Sequence, residues 1–178
     1  MEKTIADTLL HVEKSVGRST RETLLDTGLE LIGTVGIRQA SARAVEDASG
    51  VPHGSIRHHF GGQDGFLGAL VEHVFVRDVP VDGESTHDVM ARWLGAGRVR
   101  TRARYELMLM ATRDEDMRVR MVAGRDRFVE RLVDRGMLRT DARQLVAALD
   151  GLVLDALLRD SDGTDADHDP TRLLGAFR

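Results

Sequence analysis

The feature that most constrains this chain is the spacing of its apolar residues, which return at three- and four-residue intervals along almost the whole sequence. That period lines one face of an α-helix, whereas a half-buried strand needs alternation at every second residue. Such alternation is nearly absent. An all-α fold is expected, and since each helix has an apolar face to bury, the helices must pack on one another. The 178 residues suffice for one large domain or two small ones sharing a core.

Composition removes several classes. The chain has no cysteine, so disulfides, cysteine-based zinc sites and thiol enzymes are excluded, which fits a cytoplasmic protein. No run of about 18 apolar residues exists, so no membrane-spanning helix is expected. The charges scattered through Met1 to Gly17 do not suit a secretory leader. No H-E-x-x-H, G-x-S-x-G or Gly-rich phosphate loop is present, so neither an enzyme nor a cofactor is expected. The net charge is −4, and the first 65 residues carry seven Lys or Arg against nine Asp or Glu. Bulk charge therefore does not announce nucleic-acid binding, and any case for it must rest on local geometry.

The periodicity divides into segments. Ile5, Leu9, Val12 and Val16 suggest a short extra helix over residues 3–16, ended by Gly17. Ser19 and Glu22 form a capping box before a helix that buries Leu24, Leu25, Leu29 and Ile32 and stops at Gly36. Ser41 caps a second, short helix ending at Gly50, and Pro52 suits the first turn of a third that runs to about His59. Further helices are expected from Gln63 to Arg77, Asp88 to Leu94, Val99 to Thr112, Asp114 to Asp134 and Asp141 to Arg159. The stretch from Asp160 to Asp169 reads as a mobile acidic loop. A last helix follows, carrying Leu173, Leu174 and Phe177. The character of the chain changes near residue 64, dividing it into 1–64 and 65–178.

Two short helices, Ser41 to Ser49 and Pro52 to His59, joined by a tight Gly50-Val51 turn, have the geometry of a helix-turn-helix over about residues 41–60. Its outward residues suit DNA. Ser41 offers a hydroxyl at a helix N-terminus, and Arg43 can reach a guanine edge with both arms of its guanidinium. Gly54 permits close backbone approach, Ser55 can bond a base or a phosphate, and His53, Arg57 and His58 can contact phosphates. A metal site at His53, His58 and His59 is not expected, because no Asp, Glu or Cys completes a cluster. On spacing alone, a generic three-helix cluster with a polar surface fits equally well.

The stretch G-V-P-H-G-S-I-R-H-H-F at residues 50–60 closely resembles the G-V-S-x-G-x-L-Y-x-H-F signature of the TetR family of bacterial transcriptional regulators. The resemblance runs from about Thr20 to Leu70. It implies an N-terminal three-helix DNA-binding domain followed by a C-terminal helical domain for ligand binding and dimerisation. It places Ser41, Arg43, Pro52, His53, Gly54, Ser55, Arg57 and His58 at the DNA, with His59 and Phe60 structural. Three residues depart from the family pattern: Glu46 where a small Ala usually packs, Arg57 for an aromatic residue, and Gln63 for a phosphate-gripping Lys.

In the second part, the segment from Asp141 carries two apolar stripes. Ala142, Leu145, Leu149, Leu152, Val153 and Ala156 form one; Ala147, Gly151, Leu154 and Leu158 form the other. A surface helix of a monomer needs only one, so Ala147, Gly151, Leu154 and Leu158, with Leu174 and Phe177, are the expected homodimer interface. A dimer also supplies the second recognition helix that a palindromic operator needs. The resemblance implies a ligand cavity among the middle helices, with Trp93, Arg104, Tyr105, Met108 and Met121 as its candidate lining. For each of these residues ordinary core packing fits as well, and Arg98, Arg100, Arg102 and Arg104 also read as a solvated stretch. The function expected is that of a dimeric repressor released from double-stranded DNA by a small-molecule effector. The alternative is a helical small-molecule-binding protein with weak or lost DNA binding.

Overall fold

A computed structural model describes residues 19–78, 80 and 83–176, and the expected helix at 3–16 lies outside them. Among the described residues the chain forms nine α-helices and one 3-10 turn: α1 (Thr20–Val35), α2 (Ala42–Ser49), α3 (Ser55–Phe60), α4 (Gln63–Asp78), α5 (Thr86–Leu94), α6 (Arg98–Ala111), α7 (Glu115–Asp134), α8 (Arg139–Leu158), the 3-10 turn Ala166–His168 and α9 (Pro170–Ala176). The all-α expectation holds. Among the described residues, no helix is long and apolar enough to cross a membrane.

The ends of these helices follow from local chemistry. Ser19 and Glu22 close the capping box of α1, each side chain accepting the other's backbone N–H. A second box, Ser85 with Asp88, starts α5 two residues before the expected Asp88. Asp114 accepts from the N–H of Met117 at the head of α7. Gly50 takes a left-handed conformation, φ 68°, and stops α2.

Two apolar cores meet at Phe128. The larger joins Leu24, Leu29, Val45, Ile56, Phe66 and Leu70 of the first four helices to Leu107 of α6 and Met121 of α7. The smaller sets Val89, Trp93 and Leu94 of α5 against Val153 and Ala156 of α8. The helix-turn-helix therefore does not stand apart: α1 packs along α6. Gly33 makes this approach possible, since a Cβ there would lie 1.9 Å from the Val99 carbonyl oxygen. Glu106 of α6 then accepts from the Ile37 N–H at 2.6 Å, just past the end of α1.

The expected mobile loop after α8 is instead tied down. Arg98 donates to the Ser161 carbonyl at 2.6 Å and pairs with Asp160 at 2.7 Å. His168 is buried, with Nδ1 2.7 Å from Asp165 and Nε2 3.2 Å from Asp155. Two of its acidic side chains, Asp160 and Asp165, are here partners of an arginine and a histidine.

Candidate functional site

The helix-turn-helix is built on Val45 and Ile56, both fully buried against α1 and α4. Phe60 closes the exit of α3, meeting Phe66 edge-on at 5.1 Å and lying under the Arg21 guanidinium at 5.0 Å. The turn is longer than expected. Gly54 has φ 90°, outside the helical region, so α3 begins at Ser55, and Pro52 and His53 belong to the turn. The expected tight Gly50-Val51 turn and first-turn Pro52 are corrected accordingly.

Glu46 explains how so short a recognition helix is held. Its side chain reaches from α2 across the turn and accepts from the Gly54 N–H at 3.1 Å and the Ile56 N–H at 2.8 Å. It is only 5% exposed. Gly54 carries no side-chain cap of its own, so a carboxylate from the neighbouring helix satisfies the orphan N–H groups and meets the positive end of the helix dipole. The departure at position 46 thus welds α2 to α3 instead of disturbing their packing.

Around this weld the polar residues point outward. Ser41 accepts from the Ala44 N–H at 3.2 Å as the cap of α2. Arg43, Pro52, His53, Gly54, Arg57 and His58 are exposed. Asp47 lies between two of them, 3.9 Å from Arg43 Nε and 2.6 Å from His53 Nε2. Ser55 donates its hydroxyl proton to the Pro52 carbonyl at 2.5 Å, which leaves its oxygen as an acceptor. The His58 and His59 rings meet edge-on at 5.0 Å. Gln63 is exposed at the start of α4. The face is polar and carries both signs of charge.

From Gln63, α4 runs inward for 16 residues, about 24 Å at 1.5 Å per residue. It ends at Asp78, whose side chain is buried and takes a hydrogen bond from Arg104 Nη1 at 3.0 Å. Burial pushes the Asp78 carboxyl up and the Arg104 charge partly offsets this. Arg104 is 2% exposed, so it is not part of a solvated stretch; Arg98 is likewise engaged, and of the four arginines Arg102 faces solvent. The Arg104 guanidinium stacks on Trp93, 4.3 Å from the ring centroid, and lies 5.4 Å from that of Tyr105. Its Nη2 is 4.0 Å from Asp150, which pairs with Arg125. Tyr105 donates to the Asp150 carbonyl at 2.7 Å, and burial pushes its phenol up to about 12, so it stays a neutral donor.

The five candidate pocket residues line two neighbouring spaces. Trp93, Arg104 and Met108 line an inner chamber of ≈ 30 Å³ with Phe75 and Phe128. Tyr105, Met108 and Met121 line an open groove of ≈ 510 Å³. Met108, Arg125 and Asp150 border both. The same groove includes Ala147, Gly151 and Leu154, three of the residues expected at a dimer interface. The stripe separation on α8 is as read: Ala142, Leu145, Val153 and Ala156 are buried, while Ala147, Gly151, Leu154 and Leu158 are exposed, Leu158 to 77%. Leu174 is half-buried, and Phe177 lies outside the described residues. Asp78, Arg125, Phe128 and Asp150 were not among the candidates. Arg125 and Phe128 are neighbours at i,i+3 on α7, whereas Asp78 on α4 and Asp150 on α8 are distant in sequence, and no local pattern joins the three helices at this point.

Two family models match the chain. That of bacterial regulatory proteins of the tetR family matches residues 24–70, and that of the tetracyclin repressor-like C-terminal domain matches residues 83–177. The chain belongs to the TetR family. Among solved structures, a member of the TetR family from Streptomyces coelicolor A3 is 29% identical with a TM-score of 0.71, the match covering 89% of this chain and 96% of that one. The multidrug binding protein EbrR complexed with ethidium is 28% identical with a TM-score of 0.70, again over 89% and 96%. A TetR-family regulator from Rhodococcus sp., 22% identical over 88% and 96% with a TM-score of 0.64, shares the fold. No curated protein matches. The fold is thus an N-terminal helix-turn-helix domain joined to a C-terminal helical domain, that of a transcriptional regulator.

Proposed function

We propose that the chain is a ligand-released repressor that binds a palindromic operator as a homodimer. The observation that carries this reading is the course of α4, which starts beside the exit of the recognition helix at Gln63 and ends in the interior at the Asp78–Arg104 pair. A ligand that changes what Arg104 holds acts on one end of a stiff helix whose other end abuts the DNA-reading unit. Such coupling shifts the population between DNA-competent and incompetent forms. The boundary between the DNA-binding part, 1–64, and the effector and dimerisation part, 65–178, falls at the start of this helix.

On the DNA, Ser41 holds a phosphate and Arg43 reads a base edge. Pro52, His53, Gly54, Ser55, Arg57 and His58 present the recognition surface. Arg57 adds the positive charge that Gln63 lacks. The exposed stripe Ala147, Gly151, Leu154 and Leu158, with Leu174 and Phe177, meets its copy across the dimer axis. The effector occupies the space around Trp93, Arg104, Tyr105, Met108 and Met121, and the complex of the similar EbrR with ethidium, like those with proflavin and malachite green, supports a small-molecule role for this part of the fold.

The test is a gel shift against the DNA upstream of the chain's own gene at increasing salt. A discrete band that weakens with salt is expected. Arg43→Ala should cost about 1–3 kcal/mol and relax the preference at one base position. The mixed charge of the face, with Glu46 and Asp47 inside the motif, favours one rival, a small-molecule-binding protein without an operator. No sequence-specific band at low salt would establish that rival.

A further inference from the structure

Among the described residues, three buried side-chain atoms have no hydrogen-bond partner: Trp93 Nε1, Arg104 Nε and Arg104 Nη2. All three are donors. They belong to two residues that stack on each other and line one chamber, and buried polar groups left unpaired are rare enough to need a reason. Of the nearby acceptors, Asp78 Oδ2 takes Arg104 Nη1, Asp150 Oδ2 takes Arg125 and the Asp150 carbonyl takes Tyr105, while Asp150 Oδ1 stands 4.0 Å from Arg104 Nη2 as an ion-pair partner, which leaves Trp93 Nε1 and Arg104 Nε as the donors without one. The local chemistry is a surplus of donors within an aromatic wall of Phe75, Trp93 and Phe128.

We propose that the effector is an apolar molecule carrying one hydrogen-bond-accepting head, a carboxylate or a carbonyl, which Arg104 and Trp93 hold in the inner chamber. This rests on the reading of the cavity as the effector site. The chamber of ≈ 30 Å³ admits a water-sized group, enough for an oxygen of such a head. The apolar body lies in the adjoining groove of ≈ 510 Å³, within the usual range for small-molecule sites. Met108, Arg125 and Asp150 line both spaces. A cationic head is disfavoured at the Trp93 and Arg104 donors, since it brings only donors and a positive charge to a guanidinium, and the carboxylates there, Asp78 and Asp150, are already paired with Arg104 and Arg125. An acceptor at Arg104 Nε shares the guanidinium whose Nη1 holds Asp78, the last residue of α4.

The experiment is isothermal titration of the full chain, without DNA, with 2-naphthoate, 2-naphthamide and 2-naphthylmethylammonium, which share a ring and differ in the head. At least one of the two acceptor probes should bind about tenfold or more tightly than the ammonium. Trp93→Phe keeps the stacked ring and removes only the indole donor. It should weaken the favoured acceptor probe about three- to tenfold and leave the ammonium unchanged, with thermal unfolding confirming that the variant is folded. Arg104→Lys, which keeps the charge but not the planar fork, should weaken the acceptor probes further. Equal or tighter binding of the ammonium, no binding by any probe at millimolar concentration, or an acceptor affinity unmoved by Trp93→Phe overturns the proposal. The outcome is separable from the regulator reading: operator release by the ammonium probe alone would retain a ligand-controlled regulator and discard the acceptor-headed ligand.

Discussion

Residue by residue, the most informative position is Glu46. A buried carboxylate without a cationic partner is costly unless its oxygens are filled by donors, and here backbone N–H groups of the turn and the recognition helix fill them. Glu46→Ala removes that acceptor and should cost about 1–2 kcal/mol, the range of a lost N-cap. Urea unfolding reads the stability and a gel shift the consequence for DNA. Both should weaken in the Ala variant, while Glu46→Gln, which keeps one acceptor oxygen, should recover part of each. An Ala variant that unfolds and binds like the parent would show that the recognition helix needs no weld. The importance of Glu46 was visible in the sequence only as an odd residue at a usually small position. The contact depends on the turn bringing Gly54 beneath α2, and a linear reading cannot place that turn. Arg104 was obscured differently: it stands in a run of alternating arginines, and only the rotation of about 100° per residue along α6 separates the buried Arg104 from the exposed Arg102.

Among the elements, the contact of α1 with α6 fixes the DNA-reading unit to the helical domain. Gly33→Ala places a methyl group against the Val99 backbone. The overpacking should cost about 1–3 kcal/mol in thermal unfolding and speed amide exchange along both helices. Gly175→Ala, where an added Cβ meets nothing within 4 Å in this chain, is the control and should unfold no earlier than the parent. Equal effects of the two would deny the close approach. The segment after α8 gives a pH test. The Ser161 hydroxyl and the His168 ring beside it hold the Asp165 carboxyl at about 2, below its ordinary 3.8. Its lowered value means that the stabilisation is present above about pH 4 and is lost as the pH falls toward 2. Unfolding scans between pH 5 and pH 2.5 should show a steeper loss in the parent than in Asp165→Asn, and parallel losses would contradict this. Element ends with local caps were legible in advance, as at Ser19, Ser41 and Gly50. The start of α3 was displaced by three residues because Pro52 is equally at home in a turn, and the positive φ of Gly54 decides between the two.

At the scale of the whole molecule, the fold is that of a TetR-family regulator, and the account joins two ends of it: a polar face braced by Glu46, and an interior of surplus donors at Arg104, connected by α4. The apolar periodicity made the all-α class and both stripes of α8 readable. The shared groove was not, because it needs α6, α7 and α8 side by side. If the exposed stripe is the dimer face, Leu154→Asp should convert the species seen by sedimentation to a monomer and abolish operator binding without lowering the folded fraction. A variant that stays dimeric would place the interface elsewhere. Selecting bound sites from random DNA with the intact chain shows whether two copies of this helix-turn-helix read one operator. The account predicts an inverted repeat with half-sites about one helical turn apart, whose preference at one position relaxes in Arg43→Ala. Recovery of a single half-site, or of no enriched sequence at all, would contradict it.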